Sequence, residues 1–257
     1  MKVVSGSSRV RGFGLSLGLA LLAGCGSGDA PADRLSAPLP GLGPAVNVES
    51  PAGSGAGEPW LFVEPDAGVL MSWLEPSAEG QALRYSVLDG DAWGPVGTVV
   101  SRSDLFVNWA DFPSVIRLPD GSLAAHWLQR TGPDTYAYGV QLSRSTDNGQ
   151  TWSDPVTPHT DETQTEHGFV TLSPGTAAGS VRAVWLDGRN YANPRADPAF
   201  MTVRHAEVAA GGSLTGEVEL DPRTCDCCQT SAAVTESGMV VAYRGRTRDE
   251  IRDIRVV

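Results

Sequence analysis

From about residue 57 onward, short apolar runs rich in Val, Leu, Trp and Tyr alternate with turns built on Gly, Pro and Asp. No stretch keeps the 3.6-residue period of a helix, so the pattern predicts strands. The segments "GVLMSWLE", "GSLAAHWLQR", "GSVRAVWLDGR" and "GMVVAYRGR" align, placing Trp73, Trp127, Trp185 and Tyr243 at one equivalent position, spaced 54, 58 and 58 residues apart. An earlier strand precedes each: "WLFVEP", "FPSVIRLPDG", "GFVTLSPG" and "QTSAAVTESG". A third follows each: "LRYSVLDG", "YGVQLSRSTDNG", "FMTVRHAEV" and "IRDIRVV".

Three or four antiparallel strands per repeat at this period predict the blades of a β-propeller. The recurring aromatic is expected to be core, packed between neighbouring blades. In such a blade the turn into the first strand and the turn after the second share one face, the mouth. The loops "NWADF", "TEHGF" and "CDCCQT" and the loops "LQRTGPDTY", "LDGRNYANPR" and "RGRTRDE" are therefore expected to converge. They bring Asp111, Glu166, His167, Asp187, Arg189, Arg244 and Arg246 to that face. Two cations, Arg189 and Arg244, are expected to face two carboxylates, Asp111 and Glu166, around an acidic or polyhydroxylated ligand.

The stretch "STDNGQTW" carries Ser145, Asp147, Gly149, Thr151 and Trp152. It resembles the Asp-box of sialidase-like propellers at every fixed position, and "SVLDGDAW" is a degenerate copy one blade earlier. The residues alone give a structural reading. Gly149 takes a left-handed conformation, Asp147 accepts backbone N–H groups, and Trp152 plugs the gap between strands, on the end of the blade away from the mouth.

The resemblance covers roughly residues 57–257 and implies an all-β, sialidase-type propeller with about three and a half four-stranded blades of six. An alternative is closure with four blades, with "AVNVES" as the missing outer strand. Active members of the family grip a substrate carboxylate with three Arg and use an Asp acid/base with a Tyr–Glu nucleophile. No such Arg-Ile-Pro tripeptide or Tyr–Glu pair is assignable here. The candidates taken forward are Asp111, Glu166, Asp187, Arg189 and Arg244.

Residues 1–25 form an address: a basic start (Lys2, Arg9, Arg11), a short apolar run, and Leu22-Ala23-Gly24-Cys25, which looks like a lipobox. Cys25 is the expected lipidation site, residues 26–45 a flexible linker, and 46–257 the partial propeller. The expected location is the bacterial cell envelope, with lipid as the only membrane link. A formal charge of −11 with a single lysine excludes a basic nucleic-acid surface.

Export implies an oxidising compartment. "TCDCCQTSAA" resembles a subset of exported sialidase-like proteins in which a further Cys lies downstream. With three mature cysteines, Cys225, Cys227 and Cys228, structural disulfides at the mouth are the expected reading. A thiolate metal site is the alternative, set behind because Cys-x-Cys-Cys lacks the paired Cys-x-x-Cys spacing of zinc sites. No cofactor is expected. The partner is a glycan or small polar ligand at the mouth. The two functional expectations are an exo-acting glycoside hydrolase of exo-α-sialidase type, and a non-catalytic lipid-anchored propeller that binds glycan or protein.

Overall fold

The structure is a computed structural model that describes residues 43, 45–64, 68–193, 195 and 199–257. The signal segment 1–25 with Cys25, and nearly all of the linker, lie outside the described residues. The chain divides between Asn47 and Val48, and the following concerns Val48–Val257. No described helix is long and apolar enough to cross a membrane.

Four antiparallel sheets follow one another along the chain. The first holds β1 (Gly57–Val63), β2 (Val69–Ser77), β3 (Gly80–Asp89), β4 (Ala92–Trp93) and β5 (Gly97–Arg102). The second is β6 (Ser114–Arg117), β7 (Leu123–Arg130) and β8 (Tyr138–Ser145), extended by a bridge from Leu142 to Val156. The third is β9 (His167–Pro174), β10 (Val181–Asp187), β11 (Thr202–Val208) and β12 (Leu214–Asp221). The fourth is β13 (Ser231–Thr235), β14 (Gly238–Arg244) and β15 (Ile254–Val256). The first strands β1, β6, β9 and β13 touch in succession, so each sheet is a blade whose inner edge faces its neighbours. Ala45–Ser50 forms no strand.

The repeat register holds in three dimensions. Trp73, Trp127, Trp185 and Tyr243 lie on β2, β7, β10 and β14, and all four are buried. Trp127 packs with Leu70, Leu74 and Leu83 of the preceding blade, Trp185 with Ile116, Tyr138 and Val140, and Tyr243 with Leu186 and Val203. From the second blade onward, the aromatic thus glues each blade to the one before it. A buried indole N–H needs an acceptor, and residues two apart share a strand face. Trp73 donates to Glu75 (2.8 Å), Trp127 to Gln129 (3.4 Å) and Trp185 to Asp187 (2.8 Å). Tyr243 has Gly245 two residues on, and its hydroxyl donates to Asp221 instead (2.7 Å).

The Asp-box closes the turn after β8. Asp147 accepts from the Thr151 N–H (2.9 Å), the Thr151 hydroxyl (2.6 Å) and the Ser145 hydroxyl (2.8 Å). These bonds pull its carboxyl down to a pKa of about 2. Gly149 has φ +83°, and a Cβ there would overlap the Tyr85 hydroxyl. Trp152 meets the Tyr85 ring edge-on at 6.1 Å, tying the second blade to the first. In the degenerate copy, Gly90 turns at φ +63° between the paired Asp89 and Ala92.

Candidate functional site

Five of the six loops predicted to converge do so, and "RGRTRDE" contributes no described lining residue. A cleft of about 950 Å³ is lined by residues 108–110, 134–137, 164–166, 169, Tyr191, Asp226 and Cys227, drawn from five of the six expected segments. Ala137 borders it at the start of β8, and Ser145 at the far end of that strand opens the Asp-box. At about 3.3 Å per residue this separates the two by roughly 25 Å, so the Asp-box stands at the opposite end of the blade from the cleft.

Three aromatics rim the cleft in the open: Trp109 (85% exposed), Tyr136 (60%) and Tyr191 (44%). Large rings left in water beside a concavity present flat apolar faces for a ligand to cover. Between them stand Asp134, Glu166 and Asp226, with the amides of Asn108 and Gln164. Among the described lining residues there is no Arg, Lys or His.

Beneath this surface, Glu166 accepts the Tyr138 hydroxyl at 2.6 Å. Tyr138 is fully buried, its ring stacked on Phe106 with centroids 3.8 Å apart. Burial raises the Glu166 carboxyl above its ordinary range. Tyr138's hydrogen bond offsets part of this, and the negative charge of Asp226 adds to it. Asp111 is almost wholly buried and takes the Phe169 N–H on both oxygens, at 2.8 and 2.9 Å. Desolvation raises its pKa to about 8, opposed by that N–H and assisted by Glu166. Asp111 is therefore a neutral acid at pH 7. Phe169 holds φ +55°, an unusual conformation for a bulky residue. Its N–H on Asp111 and its carbonyl, which accepts from the Thr230 hydroxyl (2.7 Å), fix it there.

The other candidates lie elsewhere. Arg189 does not face Asp111 and Glu166. Its fork closes on Asp187, Nε to Oδ1 and Nη2 to Oδ2 at 2.7 Å each, and Nη2 also meets Glu217 at 2.7 Å. The physical reason is local. Asp187 is buried beside the Trp185 indole, and a guanidinium two residues on neutralises it without crossing the mouth. Although burial works against ionisation, Asp187 has a pKa of about 2, because Arg189, Trp185 and the nearby His167 stabilise its charged form. Asp187 is thus a strand-end fastening rather than a cleft residue. Asp161, His167 and Asp187 come close enough to suggest a cation site, but Arg189 and Arg204 already supply the positive charge there. Arg244 turns to the cysteines: Nη1 lies 3.6 Å from Cys228 Sγ, and Nε donates to the Arg252 carbonyl (3.1 Å). The expected arrangement of Arg189 and Arg244 opposite Asp111 and Glu166 is therefore absent; the described lining carries three carboxylates, of which Asp226 is paired with Arg246 (3.9 Å) and Arg252 (3.6 Å).

Sequence reasoning did not single out Tyr138, Trp109, Tyr136 or Tyr191. Tyr138 reads as an ordinary strand residue in "YGVQL". The three exposed aromatics stand inside quoted polar loops, where an aromatic has no core to fill; that was the available signal.

No family model matches the chain, and no curated protein matches it. Solved structures match in fold. A protein of unknown function from Dyadobacter fermentans is 13% identical, with a TM-score of 0.51 over 79% of this chain and 65% of that one. The α-L-arabinanase of Penicillium chrysogenum, solved in complex with arabinobiose, is 16% identical, with a TM-score of 0.53 over 78% of this chain and 61% of that one. The chain thus spans less than two thirds of the length of either structure. The blades, their inner strands and these likenesses agree on one conclusion: the fold is the β-propeller shared with glycosidases.

Proposed function

We propose that the protein is an exported propeller whose mouth binds a neutral, polyhydroxylated glycan. The observation that carries this reading is the cleft's composition, with three exposed aromatic rings around carboxylates and amides. Sugar C–H faces stack on such rings, and hydroxyls are satisfied by carboxylate and amide groups. The Asp-box supports kinship with sialidase-like propellers. A sialic acid, however, brings its own carboxylate, and the carboxylates of Asp134 and Asp226 line the cleft, with the nearby guanidiniums of Arg246 and Arg252 engaged on Asp226 rather than among the described lining residues. The test is binding of the full chain to a glycan array that holds neutral and sialylated members. Neutral binders are expected, and a preference for sialosides contradicts the reading.

A second reading, hydrolysis of the bound glycan, is favoured by the position of Glu166 at the cleft surface, where burial strengthens its carboxyl's hold on a proton in the direction a general acid for a glycosidic oxygen requires. Turnover of aryl glycosides matching the array hits is then expected, and Glu166→Gln should lower it by about 10²–10⁴-fold with binding kept. Equal turnover by the variant excludes Glu166 as the acid. For location, the proposal is a lipid on Cys25. Cys25→Ser should move the protein from the membrane to the soluble fraction, and continued sedimentation with membranes argues against that anchor.

A further inference from the structure

Cys225, Cys227 and Cys228 bring three sulfurs together at 3.7, 3.7 and 4.0 Å. In a metal–thiolate site with bonds near 2.3 Å, neighbouring sulfurs stand about 3.8 Å apart in tetrahedral and about 4.0 Å apart in trigonal geometry. The point equidistant from these three sulfurs is about 2.2 Å from each, so a bond of about 2.3 Å places an ion just above their plane. We propose that the trio binds a soft d¹⁰ cation, Zn²⁺ or Cu⁺, through three thiolates.

The surroundings fit that charge. Cys225 is fully buried, and its N–H donates to the Arg244 carbonyl at 2.9 Å, which the Thr224 hydroxyl also meets at 2.8 Å. This pins the first sulfur to β14. Arg244 Nη1 stands 3.6 Å from Cys228 Sγ, and Arg252 Nη1 stands 3.7 Å from Cys225 Sγ. Three thiolates leave a net charge of −1 with Zn²⁺ and −2 with Cu⁺, and two guanidiniums offset either. Binding releases the three thiol protons to solvent. Cys227 is exposed and borders the cleft, so the open side of the trio, where a fourth ligand would stand, gives onto it. Cys225 and Cys228 stand at one Cys-x-x-Cys spacing, and Cys227 takes the place of the second pair found in zinc sites. Thiolate sulfur is the donor that selects d¹⁰ ions over Mg²⁺ or Ca²⁺.

The experiment uses the full chain carrying Cys25→Ser, so that only these three thiols count, with and without Cys227→Ser. Cys227 is exposed, so its loss spares the packing, and circular dichroism checks the fold. Zinc is offered against a chromophoric zinc chelator and Cu⁺ against bicinchoninate, followed by elemental analysis of the desalted protein. Stoichiometric retention of one of these metals is expected, with at least a tenfold loss of affinity in Cys227→Ser; whichever chelator yields identifies the ion. Failure to withdraw either metal overturns the proposal. So does equal binding by Cys227→Ser, or a disulfide within the trio shown by peptide mass mapping of the protein as isolated.

Discussion

At the scale of single residues, burial decides what each acid does. Asp187 and Asp111 are both enclosed, yet one is held near pKa 2 and the other near 8. Asp187 has a guanidinium and an indole N–H, whereas Asp111 has only a backbone N–H and a neighbouring carboxylate. The sign of the consequence follows from linkage. Asp111 keeps its proton in the folded state up to about pH 8, while in the unfolded chain it loses it near 4. Its contribution is therefore complete below about pH 4 and is lost as pH rises through about 8. Asp111→Asn keeps an acceptor for the Phe169 N–H and cannot ionise. Thermal unfolding between pH 5 and 8 should show the wild type losing stability relative to this variant as pH rises. Parallel curves would mean that Asp111 is already ionised in the fold. Arg189 illustrates what residue identity alone conceals. The loop was placed at the mouth end correctly, but the direction of its long side chain depended on a buried acid two positions back. The recurrence of "WLE", "WLQ" and "WLD" after the repeat aromatics did hold the clue, since an acceptor two residues after a buried Trp serves its indole.

At the scale of elements, strand order and the Asp-box were legible because both depend on short-range rules. Aromatic spacing sets the blade register, and a Gly-bearing turn sets the strand reversal. The Tyr138–Glu166 bond was not legible, because it joins residues 28 positions apart on different blades, and only their packing reveals it. The Asp-box also separates stability from binding. At Gly149, a side chain meets both an unfavourable φ and the Tyr85 hydroxyl. Gly149→Ala should therefore destabilise the fold by about 1–3 kcal/mol, measured by denaturant unfolding, with glycan affinity unchanged at a temperature where the variant is folded. Loss of affinity at unchanged stability would put this turn among the ligand-binding loops.

At the scale of the whole molecule, the blades serve to bring loops from distant parts of the sequence to one cleft. Residues near 109, 136, 166, 191 and 226 meet there although well over a hundred positions separate the first from the last. The convergence was readable from blade topology, whereas the charge of the resulting surface was not. It depends on which side chains turn outward: Arg189 closes on Asp187, Arg244 turns to the cysteines, and Arg246 and Arg252 pair with Asp226. The central claim is that exposed rings in this carboxylate-lined mouth hold a neutral glycan. It is tested most directly by titrating a neutral glycan selected from the array into wild type and Trp109→Ala by calorimetry. Trp109 is 85% exposed, so its removal should leave the unfolding midpoint in place. Loss of one stacking face should weaken binding by about 1–3 kcal/mol, roughly 5- to 150-fold. Affinity unchanged by Trp109→Ala, in a variant as stable as the wild type, would contradict the account.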